Sequence, residues 1–151
     1  MTTPRIDTVL LTGKTHTTPS ARGGERVDIA LSIPGSTTAG LALDGVQMHP
    51  TAEQLFAGAW SACYTGALGL VAQARKVKLP AGMAVDIEVD LGKTGAAYFL
   101  QARIDVSLPG IARDLAEAIA HEAHDVCPYS KAVHGNIGVV TRVVETDTVA
   151  A

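Results

Sequence analysis

The 151-residue sequence is poor in cysteine: it contains only Cys63 and Cys127, and these do not form a CxxC pair. This excludes a disulfide-stapled scaffold, which needs several cysteine pairs, and it excludes metal or redox motifs built on CxxC. Two separated thiols suit a reducing compartment, so we expect a cytoplasmic protein.

Net charge is also small. The formal net charge is −3, and a chain this close to neutral has no general electrostatic footprint for nucleic acid. The sequence does not open on a basic segment followed by a short apolar run, which predicts that no secretory signal is present. No internal repeat or linker interrupts residues 1–151, so we expect a single domain.

Charge is absent altogether from residues 55–72, LFAGAWSACYTGALGLVA. This run is only just long enough to span a membrane. Its glycines and alanines give it a much weaker transfer free energy than a leucine-rich span has, and a helix that is apolar on all sides is equally typical of the centre of a soluble domain. We therefore predict a core helix and no membrane partner.

Three segments alternate apolar and polar residues with a period of two, which predicts half-buried β-strands. They are residues 27–33, 83–91 and 100–108, and the last two flank a turn at 92–95 as an antiparallel hairpin. Residues 136–145, NIGVVTRVVE, predict a further strand of ambiguous register.

The period changes to that of an α-helix in two places. Residues 51–77 predict one long helix with Thr51 as its N-cap and Glu53 in its first turn. A second helix is predicted from an apolar stripe formed by Ile111, Leu115, Ala118, Ile119 and Val126. This order of elements predicts an α+β fold in which antiparallel sheets pack around the long apolar helix and the second helix.

The two cysteines allow different interpretations. Cys63 lies in the middle of the apolar helix, where a free cysteine usually acts as a small buried hydrophobe. Cys127 precedes Pro128, so we predict a short third helix with Cys127 as its N-cap and Gly135 at its end. Backbone N–H groups at a helix N-terminus stabilise a thiolate, which by itself favours Cys127 as the reactive thiol.

The sequence HEAH at residues 121–124 does not match a zinc-protease motif, because its histidines are three residues apart rather than four. His121, His124 and Cys127 could still supply three zinc ligands at helical spacing. Their acidic neighbours fit the solvated face of an amphipathic helix better, so we expect no metal.

Two motifs together resemble the organic hydroperoxide resistance (Ohr) branch of the OsmC/Ohr family. They are EQLFAGAWSACYTGAL around Cys63 and CPYSKAVHGNI from Cys127 onwards. The segments TGKTHTT, LSIPG and EVDLGKTGAAYFLQARIDVSLPG are similar to the same branch, so the resemblance covers nearly the whole chain.

The resemblance implies a thiol peroxidase without metal or bound cofactor that works as an intertwined homodimer. It implies Cys63 as the peroxidatic cysteine and Cys127 as the resolving cysteine, with a disulfide between them that a dithiol such as protein-bound dihydrolipoamide reduces. Glu53 matches the acidic residue that orients an active-site arginine in the family. The apolar run around Cys63 would favour alkyl or fatty-acid hydroperoxides, through Leu55, Phe56, Trp60 and Leu68.

A thiol in apolar surroundings needs a nearby cation to ionise near neutral pH. The family has an arginine in the loop after THTT, and in this sequence Arg22 is the nearest candidate, with Arg26 and His134 as alternatives. If the shorter loop has removed that cation, the chain would be a hydrophobic-ligand binding protein of the same fold with weak catalysis.

Overall fold

The structure, a computed structural model, describes residues 5–20, 26–34 and 50–145. In this part of the chain the elements follow the order β1 (Thr8–Pro19), β2 (Val27–Ser32), α1 (Ala52–Ala74), β3 (Ala84–Thr94), β4 (Ala97–Ser107), α2 (Arg113–Val126), α3 (Pro128–Val133) and β5 (Gly138–Val143). The predicted α+β fold is confirmed. Arg22 lies outside the described residues.

The strands form one sheet with the order β2-β1-β3-β4-β5. β1 pairs antiparallel with both β2 and β3, and β3 pairs antiparallel with β4. β5 pairs parallel with β4, whereas we expected antiparallel pairing throughout. The difference follows from the connection, because the chain crosses over through α2 and α3 before β5, and such a crossover brings a strand back in the same direction.

β3 and β4 form the predicted hairpin. Thr94 pairs with Ala97 at its tip, and Gly95 has a φ of 58°, which a glycine adopts without strain. The inward-facing side chains are fully buried, as the alternation predicted: Val85, Ile87, Val89, Ile104 and Val106. α1 packs against β3 of this hairpin and against the neighbouring β1, while α2 packs against β5.

The prediction that β2 is half buried is wrong for the single chain. Ile29 is 37% exposed and Leu31 is 44% exposed, although both lie opposite Thr17 and Thr15, which are buried beneath α1. β2 is the edge strand of the sheet, and its apolar face extends past the cover that α1 provides.

α1 is the core helix that the sequence predicted. Trp60, Tyr64 and Leu68 have no exposed surface and pack against the sheet and α2. Thr51 caps the helix through a capping box with Gln54, in which each side chain bonds the backbone N–H of the other residue. The helix ends at Ala74, three residues earlier than predicted.

α1 lies unusually close to β1 at its first turn. A Cβ atom on Gly13 would stand 2.6 Å from the backbone nitrogen of Gln54 and 2.7 Å from the carbonyl carbon of Glu53, so only glycine fits there. Further along, the Ser61 hydroxyl lies 2.6 Å from the Thr17 hydroxyl in the buried contact between helix and strand. These contacts join α1 to β1.

The buried face of α2 is rotated relative to the prediction. Ile119 is buried as expected, but its buried neighbours are Ala116, Ala120 and Ala123 rather than Ala118 and Val126. These alanines let α2 approach α1 closely. The predicted short helix is confirmed as α3, with Cys127 at its N-cap and Gly135 at a φ of 80° just past its end.

Candidate functional site

The two cysteines meet where α1, α2 and α3 come together. The Cys127 Sγ atom lies 3.4 Å from the Cys63 Sγ atom, although 64 positions separate the residues in the sequence. The turn between α2 and α3 makes this possible: Cys127 closes α2 by donating its backbone N–H to the Ala123 carbonyl at 2.8 Å, and Pro128 starts α3 in a new direction.

The two thiols differ in accessibility. Cys127 has no exposed surface, whereas Cys63 is partly exposed. A small molecule in solution therefore reaches Cys63 before it reaches Cys127. The position of Cys127 at a helix N-terminus by itself favours it as the reactive thiol, but its sulfur is buried whereas Cys63 is partly exposed.

The described surroundings do not favour ionisation of Cys63. Burial raises the pKa of the Cys63 thiol, and Cys127 raises it further through the contact between the two sulfurs. A hydrogen bond with the Tyr129 backbone, in the first turn of α3, acts in the opposite direction and is the weaker influence. Among the described residues no cation lowers this pKa, and the expected cation stays a prediction.

Glu53 lies far from Cys63 along α1. Ten residues separate them on an unbroken helix, which corresponds to about 15 Å at the helical rise per residue. Glu53 is 8% exposed, and within the described residues its carboxylate has no ion-pair or hydrogen-bond partner. In a single chain, then, Glu53 and Cys63 do not belong to one site.

The four apolar residues expected to contact the substrate are not equivalent. Trp60 and Leu68 have no exposed surface and belong to the core of the single chain. Trp60 also borders a cleft between α2, α3 and β5. The expectation that both residues contact a substrate stays a prediction. Leu55 is 58% exposed, and Phe56, which is partly buried, packs edge-on against Trp60 with their ring centroids 5.8 Å apart. Of these four residues, Leu55 and Phe56 are the ones that solvent reaches in the single chain.

A hydrogen-bonded chain of four side chains runs beside the thiols. The Trp60 Nε1–H donates to Ser130 Oγ at 2.9 Å, and Ser130 Oγ lies 2.9 Å from His124 Nδ1. His124 Nε2 bonds the Thr141 hydroxyl. This series of hydrogen bonds connects α1, α3, α2 and β5. The sequence analysis missed it, although a single tryptophan in an apolar helix requires a partner for its N–H group.

The surroundings of His124 disfavour its protonated form. Burial lowers the pKa of His124, and the charge of His121 lowers it further, while Asp125 acts in the opposite direction. The centroids of the His124 and Tyr64 rings are 5.0 Å apart. The Tyr64 hydroxyl donates to the Ala120 carbonyl at 2.6 Å. Because both ring nitrogens of His124 already have hydrogen-bond partners, the zinc arrangement with His121 and Cys127 is not formed. Over the described residues there is no other group of ligands that could hold a metal ion.

A cleft of about 870 Å³ borders His124 and Ser130. Its lining includes Lys131, His134 and Val139, but neither cysteine. His134 therefore faces this cleft, while Arg26 is an exposed residue next to β2 whose carbonyl accepts the Ser20 N–H at 3.0 Å.

Comparisons with known proteins agree with this fold. The family model described as OsmC-like protein matches residues 44–142. The organic hydroperoxide resistance protein OhrA of Bacillus subtilis is 32% identical over 119 residues, which cover 79% of this chain and 82% of that protein. The organic hydroperoxide resistance protein of Xanthomonas axonopodis pv. citri is 37% identical over 87 residues, and the match spans 58% of this chain but only 61% of that protein's length.

Two solved structures have the same fold over most of the chain. The organic hydroperoxide resistance protein OhrB of Bacillus subtilis superposes with a TM-score of 0.61 at 27% identity, over 85% of this chain and 97% of that one. An organic hydroperoxide resistance protein from Elizabethkingia anophelis gives a TM-score of 0.62 at 28% identity, over 85% and 95%. The fold and the family model thus define an OsmC-like α+β protein. The chain belongs to the organic hydroperoxide resistance (Ohr) branch of the OsmC/Ohr family.

Proposed function

We propose that this protein is a cysteine-based peroxidase that protects the cytoplasm by reducing organic hydroperoxides. The observation that carries the proposal is the thiol pair itself: a partly exposed Cys63 with the buried Cys127 sulfur 3.4 Å away. The relatives described above carry the name organic hydroperoxide resistance protein, which supports the same function.

The proposed reaction has two steps in which Cys63 and Cys127 divide the work. The Cys63 thiolate attacks the peroxide O–O bond, which releases the alcohol after protonation and leaves a sulfenic acid on Cys63. The Cys127 thiol then displaces hydroxide from that sulfur, so that a disulfide and water form. An external dithiol, which we expect to be protein-bound dihydrolipoamide, reduces the disulfide by two thiol exchanges. None of these steps needs a metal or a bound cofactor.

The cation that the first step requires is proposed to be Arg22. Burial raises the pKa of Cys63, and a guanidinium held by a carboxylate could offset this. Glu53 is the proposed carboxylate, since it has no partner among the described residues. Because about 15 Å of continuous helix separates it from Cys63 in the same chain, we propose that Glu53 acts across the interface of a homodimer.

The apolar side chains left exposed by the single chain support both the dimer and the substrate class. Ile29 and Leu31 on β2, and Leu55 and Leu70 on α1, are each 37% exposed or more. A second chain would cover part of this surface. We propose that Leu55 and Phe56 contact the alkyl part of the peroxide, which favours alkyl or fatty-acid hydroperoxides over hydrogen peroxide.

Thiol titration tests the proposed function. The reduced protein is mixed with one equivalent of cumene hydroperoxide, and the remaining thiols are counted after rapid quenching. We expect both thiols to disappear within seconds, hydrogen peroxide to react more slowly, and Cys63→Ser to keep its remaining thiol. Loss of thiols at the rate of free cysteine would contradict the proposal and favour the hydrophobic-ligand binding protein.

A further inference from the structure

The hydrogen-bonded chain from Trp60 to Thr141 connects the two cysteine-bearing helices one turn from each cysteine. Trp60 lies three residues before Cys63 on α1, and Ser130 lies three residues after Cys127 in α3. Their hydrogen bond is therefore a cross-link between the two helices close to the sulfur pair. His124, one turn before Cys127 on α2, and Thr141 on β5 extend this cross-link.

Every polar side-chain atom of this hydrogen-bonded series has a partner within the series. An indole N–H can only donate, so Ser130 Oγ accepts from Trp60. Ser130 Oγ also bonds His124 Nδ1, and His124 Nε2 bonds the Thr141 hydroxyl, with the donor in each of these two bonds set by the tautomer of His124. Trp60 has no exposed surface and Ser130 is 6% exposed. Removal of one side chain would leave a buried polar group without a partner, which costs free energy of folding. The hydrogen bonds of this series therefore support one another.

In the proposed reaction, the distance between the two sulfur atoms decides what happens to the Cys63 sulfenic acid. Condensation of a sulfenic acid with a second thiol competes with attack by another peroxide molecule, which produces sulfinic acid. The outcome depends on how often the Cys127 sulfur stands within reach of Cys63. Cys127 itself makes no side-chain capping bond, so the position of α3 must come from other contacts.

We infer that Ser130 and His124 are positioning residues for the resolving step: together with Trp60 and Thr141 they hold α3 against α1, so that Cys127 condenses with the Cys63 sulfenic acid before a second peroxide reacts. This inference rests on the proposed peroxidase function. It adds a role for two residues that do not take part in the proposed chemical steps.

The test compares Ser130→Ala with Ser61→Ala. Each variant removes one buried hydroxyl that forms a hydrogen bond between α1 and another element. Ser130 joins α3 to α1 through Trp60, whereas Ser61 joins α1 to β1 through Thr17. Ser130→Thr retains the hydroxyl and serves as the conservative variant. The measurements are the rate of the first thiol oxidation by cumene hydroperoxide, and the peroxide concentration at which half of Cys63 becomes sulfinic acid by mass spectrometry.

We expect Ser130→Ala to keep the rate of first oxidation within about twofold of the parent while it reaches half sulfinic acid at a peroxide concentration roughly tenfold lower, because small misplacements of reacting groups cost one to two orders of magnitude in rate. Ser61→Ala and Ser130→Thr should stay near the parent value. Equal sensitivity of parent and Ser130→Ala, or an equal loss in Ser61→Ala, would overturn the inference.

A second measurement separates this inference from the proposed function. The equilibrium between the Cys63–Cys127 dithiol and its disulfide is determined in glutathione buffers, which requires no reaction with peroxide. We expect Ser130→Ala to shift this equilibrium about tenfold toward the dithiol, with Ser61→Ala unchanged. If the parent fails to react with peroxide, the function is wrong and this equilibrium alone decides whether the cross-link positions the thiols; an unchanged equilibrium would refute it.

Discussion

The Cys127 sulfur lies 3.4 Å from the Cys63 sulfur in the reduced chain, with one thiol buried and the other partly exposed. A disulfide bond is about 2.05 Å long, so the two sulfur atoms need to move by only about 1.4 Å to form one. The two thiols are therefore close enough to form a disulfide with little movement of either helix.

The first prediction is an intramolecular disulfide between Cys63 and Cys127. Peptide mapping of peroxide-treated protein should find this bond within one chain. Cys127→Ser should oxidise once at the parent rate and then proceed to sulfinic acid on Cys63, because no second thiol is present. Disulfides found only between chains would contradict the arrangement seen here.

A second prediction concerns the dimer. Leu55→Glu should convert the protein to a monomer by light scattering at micromolar concentration, since a charge would replace an apolar side chain in the proposed interface. Val140→Glu is the matched control, because Val140 is 56% exposed and Leu55 is 58% exposed. Val140 lies on β5, at the edge of the sheet opposite to β2, whose apolar residues belong to the proposed interface. A parent protein that is a fully active monomer would refute the shared site.

The third prediction addresses the cation. Arg22→Met should raise the pKa of Cys63 and slow its reaction with cumene hydroperoxide at pH 7 by roughly tenfold or more, since each pKa unit corresponds to a tenfold change in the thiolate fraction. Arg26→Met is the control and should react like the parent. The pH dependence of Cys63 alkylation measures the pKa directly. The reverse result for the two variants would identify Arg26 as the cation, and no effect in either would leave His134 as the candidate.

The fourth prediction concerns a buried ion pair on the outer face of the sheet. Arg103 donates to both carboxylate oxygens of Asp90, at 2.7 and 2.9 Å, and the Asp90 side chain is 3% exposed. Arg103→Met should lower the free energy of unfolding by about 2 kcal/mol, because it removes charged hydrogen bonds from a buried carboxylate. Arg142→Met breaks the exposed pair with Asp105, and we expect a clearly smaller loss, because solvent screens an exposed ion pair. Urea unfolding at pH 7 measures the free energy of unfolding of both variants. Equal losses in the two would contradict the buried position of Asp90.

The fifth prediction is a pH dependence of stability. Burial lowers the pKa of His124 in the folded state, so the unfolded chain binds the proton more readily once the pH falls below about 6.5. The free energy of unfolding should therefore decrease between pH 7.5 and 5.5. His124→Gln should reduce this slope, whereas His134→Gln, which replaces an exposed histidine, should keep it. An equal slope in the parent and His124→Gln would show that other groups cause the dependence.

Local pattern was sufficient for much of the architecture. The alternation of apolar residues identified the β3–β4 hairpin, Thr51 marked the start of α1, and Pro128 with Gly135 marked the ends of α3. Each of these features depends on residues two to four positions apart, where backbone geometry decides the outcome. The resemblance of the motifs around Cys63 and Cys127 was confirmed at the level of the family.

Tertiary structure alone decided how these elements face one another. The 3.4 Å contact joins residues 64 positions apart, and the Trp60–Ser130 bond joins residues 70 positions apart. Contacts between residues so far apart leave no repeating pattern in the sequence, because each depends on how α2 and α3 turn back onto α1. The same reason explains the exposed face of β2: the alternation predicts that Ile29 and Leu31 share one face, but burial of that face depends on how far α1 extends over the edge of the sheet.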